Sequence, residues 1–475
     1  MTPSVFDPGL ESITVAETEL SDVDGEAGEL VVRGYPIAEL AANATYEESV
    51  ALLLDGDLPT ADRLATIRST LVDSRGIDDA VRALLDAAAG AGVAPMDALR
   101  MGVAAATLGT DSTEPSATAR RLIAVVPTIV GTYWRYRQDE SPVDPDPELS
   151  HAANYRYLVT GERPTAAETR ALETFLTTLV DHGLNPSTFT ARTVVSTESD
   201  FVSAATAAVG TLKGPLHGGT LQQVYGLLRT AHEADDVETA VRDLLAKRDE
   251  LPGFGHRVYE VRDPRAAVLS AAIERLPAAG DGFLSTVRAI ESAGVEALDE
   301  RFPRRNVATT VEFYAAALLH AVDVPPGLFT PTFAVARIAG WMAHCLEQRR
   351  ENTLVRPVSR YVGPTGRSWT PIGDRQPGST ALGAVPVEPV SETLQTLSEP
   401  ARLEMLLALA AADGAIAYST LRERTSIEDK GRFNYHLRQL RGAFVADDES
   451  GYALTAAGER FVETVLAGDV VPEDA

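Results

Sequence analysis

Three histidines of this chain each stand beside a glycine, in three short blocks that lie between residues 180 and 259. They are His182, His217 and His256, and the chain has only 8 histidines in all. A histidine side chain titrates near neutral pH and can donate or accept a hydrogen bond. A neighbouring glycine lets the backbone approach a ligand closely. Any one of these residues could be an ordinary packed side chain, but the three together indicate a site for proton transfer or hydrogen bonding to a substrate.

The composition is that of a multidomain globular protein. A length of 475 residues with 45% hydrophobic residues predicts about two to four domains. The sequence has no uninterrupted apolar run of the length that a membrane span needs. The N-terminus lacks a basic stretch followed by an apolar run, which argues against a secretory signal. Cys345 is the single cysteine, so no disulfide forms within the chain, and we expect a cytoplasmic location.

The charge is strongly negative and comes with a shortage of lysine. The net charge is −26, and the lysines are Lys213, Lys247 and Lys430, so arginine carries almost all of the positive charge. Such a charge keeps a protein soluble and discourages nonspecific contact with nucleic acid. The pattern favours adaptation to high salt. The alternative is an ordinary acidic cytosolic enzyme.

The hydrophobic pattern predicts a mainly α-helical chain. A short N-terminal β-hairpin is expected from strands at 12–18 and 29–33, with a turn at 22–28. Helical spacing then dominates, and the predicted helices are Tyr46–Leu54, Ala61–Val72, Asp78–Ala89, Met96–Leu108, Ala117–Arg137 and Ala166–Asp181. Residues 366–389 are rich in Gly, Pro, Ser and Thr and are typical of a linker. We therefore divide the chain into a region at 1–365, a linker at 366–389 and a C-terminal domain at 390–469.

Several kinds of site are not indicated by the sequence. The CxxC and HExxH spacings of metal sites do not occur, so no metal site is expected. The glycine-rich segments match neither a phosphate-binding loop nor a dinucleotide fingerprint. A tightly bound cofactor is therefore not predicted.

The three histidine blocks, taken with their flanking segments, resemble the citrate synthase family over about residues 9–365. The flanking segments follow the family's order, and they are Gly9–Glu11, Arg33–Ile37, Asp263–Arg265, Leu328–Pro331, Arg337–His344 and Leu354–Pro357. The resemblance implies a citrate synthase fold, with a large helical domain and a small helical domain inserted roughly at 220–308. It also implies a homodimer.

The implied reaction condenses acetyl-CoA with oxaloacetate to give citrate and CoA, so the coenzyme A thioester is a cosubstrate. A carboxylate must take a proton from the thioester methyl group, and a hydrogen-bond donor must stabilise the enol or enolate oxygen. Arginines suit the dianionic keto acid, because the guanidinium fork matches a carboxylate bidentately.

The resemblance implies a role for each matching residue. His217 polarises the thioester carbonyl, His256 donates to the ketone oxygen and His182 binds the substrate. Arg265 and Arg337 clamp the carboxylates, while Arg356 reaches across the dimer interface. Taken alone, Arg337 and Arg356 would be interpreted as helix-surface or interface salt bridges.

The expected base departs from the family pattern. The family has an aspartate before an aromatic residue, whereas Glu312 stands at the matching place in Thr310–Tyr314. A second alignment through Asn306–Ala308 leaves no acid in the site. Glutamate can make the same proton transfer, although its extra methylene moves the carboxylate by roughly an ångström. We interpret the change as a tolerated variant, and the alternative is an inactive relative.

The coenzyme site is predicted at two places. The backbone of Gly253, Phe254 and Gly255 resembles the family's adenine-binding loop. Phosphate contacts are expected from Arg257, Arg262, Arg304 and Arg305, for which the alternative is a solvated surface position. Glu260 and Leu221 depart from the family and bear on which acyl-CoA is used. One methylene changes selectivity by only about 1–3 kcal/mol, so a 2-methylcitrate synthase that uses propionyl-CoA is the alternative enzyme.

The C-terminal domain is predicted to be a winged helix. The expected elements are a helix from Ser398 to about Ala411, helices at Ser419–Thr425 and Lys430–Arg441, a two-stranded wing at Phe444–Leu454 and a final helix at Thr455–Leu466. Their order resembles small ArsR-like helix-turn-helix domains.

Basic side chains gather in the expected recognition helix, which favours duplex DNA as a partner because phosphate contact requires cations. The candidate contacts are Lys430, Arg432, His436, Arg438 and Arg441. Acidic residues at 447–449 oppose this prediction, since they would repel the DNA backbone. The alternative is a dimerisation or protein-interaction domain. For the whole chain, the alternative to an enzyme is a transcription regulator in which the citrate-synthase-like region senses a metabolite.

Overall fold

The structure is a computed structural model, which describes residues 6–10, 13–25, 27–108, 114–248, 250–255, 263–277, 282–302, 308–374, 396–397, 399–412, 414–427, 429–448 and 451–466. The chain forms two compact units, Met1–Pro357 and Val358–Ala475. Within the described residues, no helix is long and apolar enough to cross a membrane.

The first unit opens with a small antiparallel sheet of β1 (Ser21–Asp24), β2 (Glu29–Val32) and β3 (Tyr35–Pro36), in that spatial order. The expected strand at 12–18 is wrong, because the first strand lies in the segment that was predicted to be the turn. Ser21 pairs with Val32 and Asp24 pairs with Glu29, so the loop that joins β1 to β2 has only four residues. Gly28 turns the chain there with φ of +69°.

The rest of the first unit is helical. Its helices are α1 (Ile37–Asn43), α2 (Tyr46–Asp55), α3 (Ala61–Asp73), α4 (Asp79–Gly90), α5 (Pro95–Ala104), α6 (Pro115–Arg137), α7 (His151–Thr160), α8 (Ala166–Thr178), α9 (Pro186–Ser196), α10 (Phe201–Leu212), α11 (Thr220–His232), α12 (Val237–Arg248), α13 (Pro264–Glu274), α14 (Phe283–Arg301), α15 (Val311–Ala321) and α16 (Phe329–Arg350). The first three predicted helices from residue 46 onward have ends within one residue of α2, α3 and α4. The fourth ends at Ala104 rather than Leu108, and the sixth ends at Thr178 rather than Asp181.

Helix α16 is the centre of the first unit. Every residue from Phe329 to Cys345 is buried, and the helix packs against α2, α5, α6, α8, α9, α10 and α11. A helix that is apolar on all sides belongs in a protein interior. The polar side chains that it carries inside therefore need partners there, and Arg337 and His344 are among them.

Helices α11 to α14 span the region in which a small domain was expected. Helix α12 packs on α11 and α14, whereas α13 packs on α8 and α15. Helix α13 thus ties this region to the elements that follow it.

The second unit has its own buried apolar core. Its elements are α17 (Pro400–Ala410), α18 (Tyr418–Glu423), α19 (Lys430–Leu440), β4 (Val445–Asp448), β5 (Gly451–Leu454) and α20 (Ala456–Leu466). Strands β4 and β5 form a hairpin, and Ile416 makes an isolated bridge to Tyr452 of β5. This order of helices and hairpin matches the sequence prediction.

Candidate functional site

The first histidine block is organised by the beginning of α9. Asn185 caps the helix, because its Oδ1 accepts from the backbone N–H of Ser187 and of Thr188, both at 3.1 Å. With that oxygen occupied, the amide nitrogen of Asn185 donates to Nδ1 of His182 at 3.3 Å. The residue that caps α9 therefore also contacts His182.

The second block is held by the same helix end. Nε2 of His217 lies 2.8 Å from Oγ of Ser187, and Nε1 of Trp341 donates to that hydroxyl at 3.2 Å. Burial, together with the nearby charge of Arg337, lowers the pKa of His217 to about 4. His217 is therefore neutral at pH 7. Its Nδ1 has no hydrogen-bond partner among the described residues.

One face of α16 supports both histidines. Arg337, Gly340, Trp341 and His344 follow the i, i+3, i+4, i+7 spacing that puts residues on a single helix face. Nε of Arg337 donates to the carbonyl of Leu179 at 2.7 Å, and His344 contacts Asp181. This face therefore fixes the segment that runs from residue 179 into the first histidine block.

Gly340 is required where α16 meets that segment. A Cβ added to Gly340 would clash with the carbonyl of Val180 and lie 2.7 Å from Oδ1 of Asp181. We expect Gly340→Ala to lower the free energy of unfolding by about 1–3 kcal/mol, the usual effect of overpacking a core. Urea unfolding measures this change. Gly226→Ala in α11 is the matched control, because a Cβ there meets nothing within 4 Å; an equal loss in both variants would contradict the role of Gly340.

The Asp263–Arg265 block is joined to the helix that carries Glu312. Arg265 is buried and forms a bidentate ion pair with Asp263, with Nε–Oδ1 and Nη2–Oδ2 distances of 3.0 and 2.8 Å. Oδ2 of Asp263 also accepts from the backbone N–H of Val311 at 3.2 Å. The first turn of α15, and with it Glu312, therefore lies beside Arg265.

The charges of these groups meet around Arg337. Burial lowers the pKa of Arg337 to about 10, the nearby Asp181 and Glu312 carboxylates act against that shift, and Arg265 adds to it. Arg265 and Glu312 thus lie close enough to Arg337 for their charges to act on it, and Arg337 lies close enough to act on His217. The only hydrogen bond of the Arg337 guanidinium within the described part of the chain is the one to Leu179, so both Nη atoms are available for a carboxylate.

The glycine-flanked loop before His256 is bound to the same helix. The backbone N–H of Gly255 donates to Ala308, and the N–H of Thr310 donates to Gly253, both at 2.9 Å. Gly253 and Gly255 have φ of +88° and +78°, a region that favours glycine. The ring of Phe254 packs on Phe313 with centroids 5.4 Å apart. The loop and the beginning of α15 thus form one structural unit.

Some predicted residues cannot be placed. His256, Arg257, Arg262, Arg304 and Arg305 lie outside the described residues. Arg356 is exposed in a segment without regular structure. Leu216, next to His217, is 97% exposed.

Three supporting residues were not singled out from the sequence, namely Asp181, Ser187 and Trp341. Their partners lie far away in the sequence, since Trp341 reaches Ser187 across 154 positions. The available signal was their position next to the motifs: Asp181 directly precedes His182, Ser187 stands two residues after Asn185, and Trp341 stands four residues after Arg337.

The basic helix of the second unit has one face in solvent. The exposed residues of α19 include Lys430, Arg432 and Arg438. The prediction that His436 contacts DNA is wrong, because its side chain is only 5% exposed and its Nδ1 accepts a hydrogen bond from Nε of Arg402 at 3.2 Å. Arg441 lies just after the helix and pairs with Asp447 of β4, with Nε–Oδ1 of 3.0 Å. The expected repulsion from Asp447 is therefore compensated within the domain.

The sequence matches two protein families. Residues 9–358 match the family described as "Citrate synthase, C-terminal domain". Residues 390–465 match a domain of unknown function, DUF7347.

The similar proteins include citrate synthases and a 2-methylcitrate synthase. The chain is 40% identical to a citrate synthase of Haloferax volcanii over 380 residues, which cover 77% of this chain and 98% of that protein. It is 36% identical to a citrate synthase of Acidithiobacillus ferridurans, over 78% of this chain and 98% of that protein. It is also 35% identical to a 2-methylcitrate synthase of Shewanella oneidensis, over 77% and 97% of the two chains.

The solved structures agree in fold with the first unit. A citrate synthase of Thermotoga maritima has a TM-score of 0.69 and 31% identity, over 78% of this chain and all of that chain. A citrate synthase of Thermoplasma acidophilum, in a ternary complex with carboxymethyl coenzyme A and oxaloacetate, has a TM-score of 0.70 and 28% identity, over 77% and 98% of the chains. The chain therefore belongs to the citrate synthase family and is an acyltransferase of that type.

Proposed function

We propose that the first unit condenses acetyl-CoA with oxaloacetate through the five side chains that meet at α16. The observation that carries this proposal is their proximity: Arg265 and Glu312 act on the pKa of Arg337, Arg337 acts on the pKa of His217, and His182 contacts the helix end that holds His217. The backbone N–H that precedes Glu312 also bonds the partner of Arg265. Two guanidinium groups suit the two carboxylates of oxaloacetate. A carboxylate beside them suits proton removal from a thioester methyl group.

The neutral state of His217 suits its role. The Ser187 hydroxyl has one proton and two possible acceptors, Nε2 of His217 at 2.8 Å and Oδ1 of Asn185 at 2.7 Å. Because Oδ1 of Asn185 already accepts from two backbone N–H groups, we assign the hydroxyl proton to Nε2 of His217. The ring proton then sits on Nδ1, which is free to donate to the thioester oxygen. This donor stabilises the negative charge that develops when Glu312 takes the methyl proton.

The remaining steps follow from the bonds that change. The enolate carbon attacks the ketone carbon of oxaloacetate, and His256 gives a proton to the ketone oxygen. Water then hydrolyses the thioester and releases CoA and citrate. Coenzyme A is assigned to the loop of Gly253, Phe254 and Gly255, with phosphate contacts from Arg257, Arg262, Arg304 and Arg305.

A homodimer completes the site in this proposal. Arg356 is exposed and follows α16, so it is free to enter the site of a second copy. Large exposed apolar side chains also occur around and after Arg356 in the sequence, and they include Leu354, Val358, Tyr361, Val362, Trp369 and Ile372. A stretch of exposed apolar side chains suits a protein interface.

The acyl-CoA preference decides between the two enzyme names. We expect acetyl-CoA to be used with a higher kcat/KM than propionyl-CoA, and turnover to rise with KCl because screening offsets the −26 net charge. Thiol release with oxaloacetate and either thioester, at low and high KCl, measures both. A higher kcat/KM for propionyl-CoA would assign the chain as a 2-methylcitrate synthase. A cytoplasmic location and adaptation to high salt complete the proposal.

For the second unit, we propose a winged helix that binds duplex DNA. The order of α17 to α20 with the β4–β5 hairpin suits this assignment, and α19 presents Lys430, Arg432 and Arg438 to solvent. Cations on one helix face suit phosphate contact. The pairing of Arg441 with Asp447 removes part of the opposing charge.

Arg438→Ala in the full chain should weaken DNA binding and lower the slope of log affinity against log salt by about 1. Titration of labelled duplex DNA at several KCl concentrations measures both quantities. Arg460→Ala on α20 is the control, because it removes the same charge from an exposed site on another helix. If wild-type chain binds no DNA at any salt, a protein-interaction role replaces this proposal.

A further inference from the structure

A buried carboxylate directly precedes His182, and none of the roles above uses it. Asp181 is 0% exposed. Its Oδ2 accepts from Oγ of Ser21, from Nε2 of His344 at 3.2 Å and from the backbone N–H of Gly183 at 3.3 Å. Burying a charge costs a great deal unless it is paired and hydrogen-bonded, so this site is built to keep a carboxylate inside.

The groups behind Asp181 favour one tautomer of His344. Nη1 of Arg192 donates to Nδ1 of His344 at 3.0 Å and to Oε2 of Glu347 at 2.6 Å. A guanidinium can only donate, so Nδ1 of His344 carries no proton. The ring proton is then on Nε2, and it points at Asp181. The direction of each hydrogen bond is therefore fixed: Arg192 donates to Glu347 and to His344, and His344 donates to Asp181.

Two side chains that are proposed to bind substrate belong to this segment or contact it. His182 follows Asp181 in the chain, and Gly183 then turns the backbone with φ of +77°. Arg337 lies across the segment through its hydrogen bond to Leu179, and the charge of Asp181 acts on it. The buried Asp181 thus lies in the segment that carries His182 and that Arg337 contacts, and both of these residues are proposed to bind oxaloacetate.

We propose that Asp181 is a positioning residue for oxaloacetate, which holds His182 and Arg337 in the arrangement that receives the dianion. This inference rests on the proposed function, because it takes those two side chains as substrate ligands. It predicts a selective effect. Oxaloacetate binding should weaken when the carboxylate is lost, whereas acetyl-CoA binding should change little, because the coenzyme loop is anchored to Ala308 and Thr310 instead.

A purely structural role would behave differently. Asp181 also fastens β1 through Ser21, so its replacement lowers stability in either case. If fastening the strand were its whole role, Ser21→Ala would reproduce the effect of Asp181→Asn on every kinetic constant. Ser21→Ala is therefore the matched control, since it removes one donor to the carboxylate and keeps the charge and His344.

The test compares full-length wild type, Asp181→Asn and Ser21→Ala in steady-state kinetics, with folding verified by thermal unfolding. Residues that orient metal ligands are typically worth about 10-fold to 100-fold in affinity or activity, and by analogy we expect the KM for oxaloacetate to rise at least about tenfold in Asp181→Asn. The KM for acetyl-CoA should stay within about twofold, and Ser21→Ala should leave both KM values within about threefold.

Each outcome decides the question. An unchanged oxaloacetate KM in folded Asp181→Asn, or an equal rise of both KM values, overturns the inference. If Asp181→Asn does not fold, His344→Gln takes its place, because His344 holds Oδ2 of Asp181 from the face of α16 that also carries Arg337, whereas Ser21 holds it from β1; the same selective rise is expected, and its absence overturns the inference. A wild-type chain that does not turn over oxaloacetate would instead contradict the proposed function.

Discussion

Glu312→Gln should lower kcat for condensation by about 10³-fold, within the range that a positioned general base contributes. The substitution keeps the shape of the side chain and removes the proton acceptor. Oxaloacetate binding should be largely retained, because Arg265, Arg337 and His182 are untouched. Thiol release gives kcat, and isothermal titration with oxaloacetate alone gives the binding constant.

Glu312→Asp is the companion variant for this prediction. It keeps a carboxylate but withdraws it by roughly one methylene, and a displacement of about 1 Å can cost about 100-fold. We therefore expect its activity to lie between that of wild type and that of Glu312→Gln. Wild-type turnover by Glu312→Gln would mean that another group is the base and that Thr310–Tyr314 was aligned wrongly with the family.

Mixing two inactive variants should restore activity if Arg356 completes the neighbouring site. Arg356→Ala keeps His217, and His217→Ala keeps Arg356, so a mixed dimer has one intact site and one doubly altered site. With random exchange, about a quarter of all sites are intact, because half of the dimers are mixed and each has one good site. The recovered thiol-release activity should approach that fraction of wild type.

The control for the mixing experiment is the exchange itself. Differently tagged protomers, separated after mixing, give the fraction of mixed dimers, and each variant assayed alone gives the background. Activity at background level in a sample that contains mixed dimers would contradict a shared site. Arg356 would then serve its own subunit or none.

The helices were predictable because their signals are local. Helix α2 shows why: Thr45 and Glu48 form a capping box at its start, and Gly56 ends it in the left-handed conformation. The first strand was missed because β1 has only four residues and its register depends on pairing with β2. Strand position of that kind is set by the partner rather than by the strand's own pattern.

The proposed catalytic and binding side chains could be predicted from the sequence, whereas the residues that support them could not. His182, His217 and Arg337 lie in motif segments, but the reason that they meet is the face of α16, which contacts residues 179–187 from more than 150 positions away. The burial of His436, by contrast, could have been predicted from the local sequence. Phe433, His436, Leu437 and Leu440 share one helix face by spacing, and that face is the buried one.

The most direct test of the site is a crystal structure of the full chain with oxaloacetate and carboxymethyl coenzyme A, the pair bound in the Thermoplasma acidophilum relative. We predict that the oxaloacetate carboxylates contact Arg265 and Arg337, that Nδ1 of His217 points at the acyl end of the analogue, and that Glu312 lies within hydrogen-bond distance of its carboxymethyl group. Oxaloacetate bound away from these arginines, or Glu312 turned away from the carboxymethyl group, would contradict the mechanism proposed for this chain.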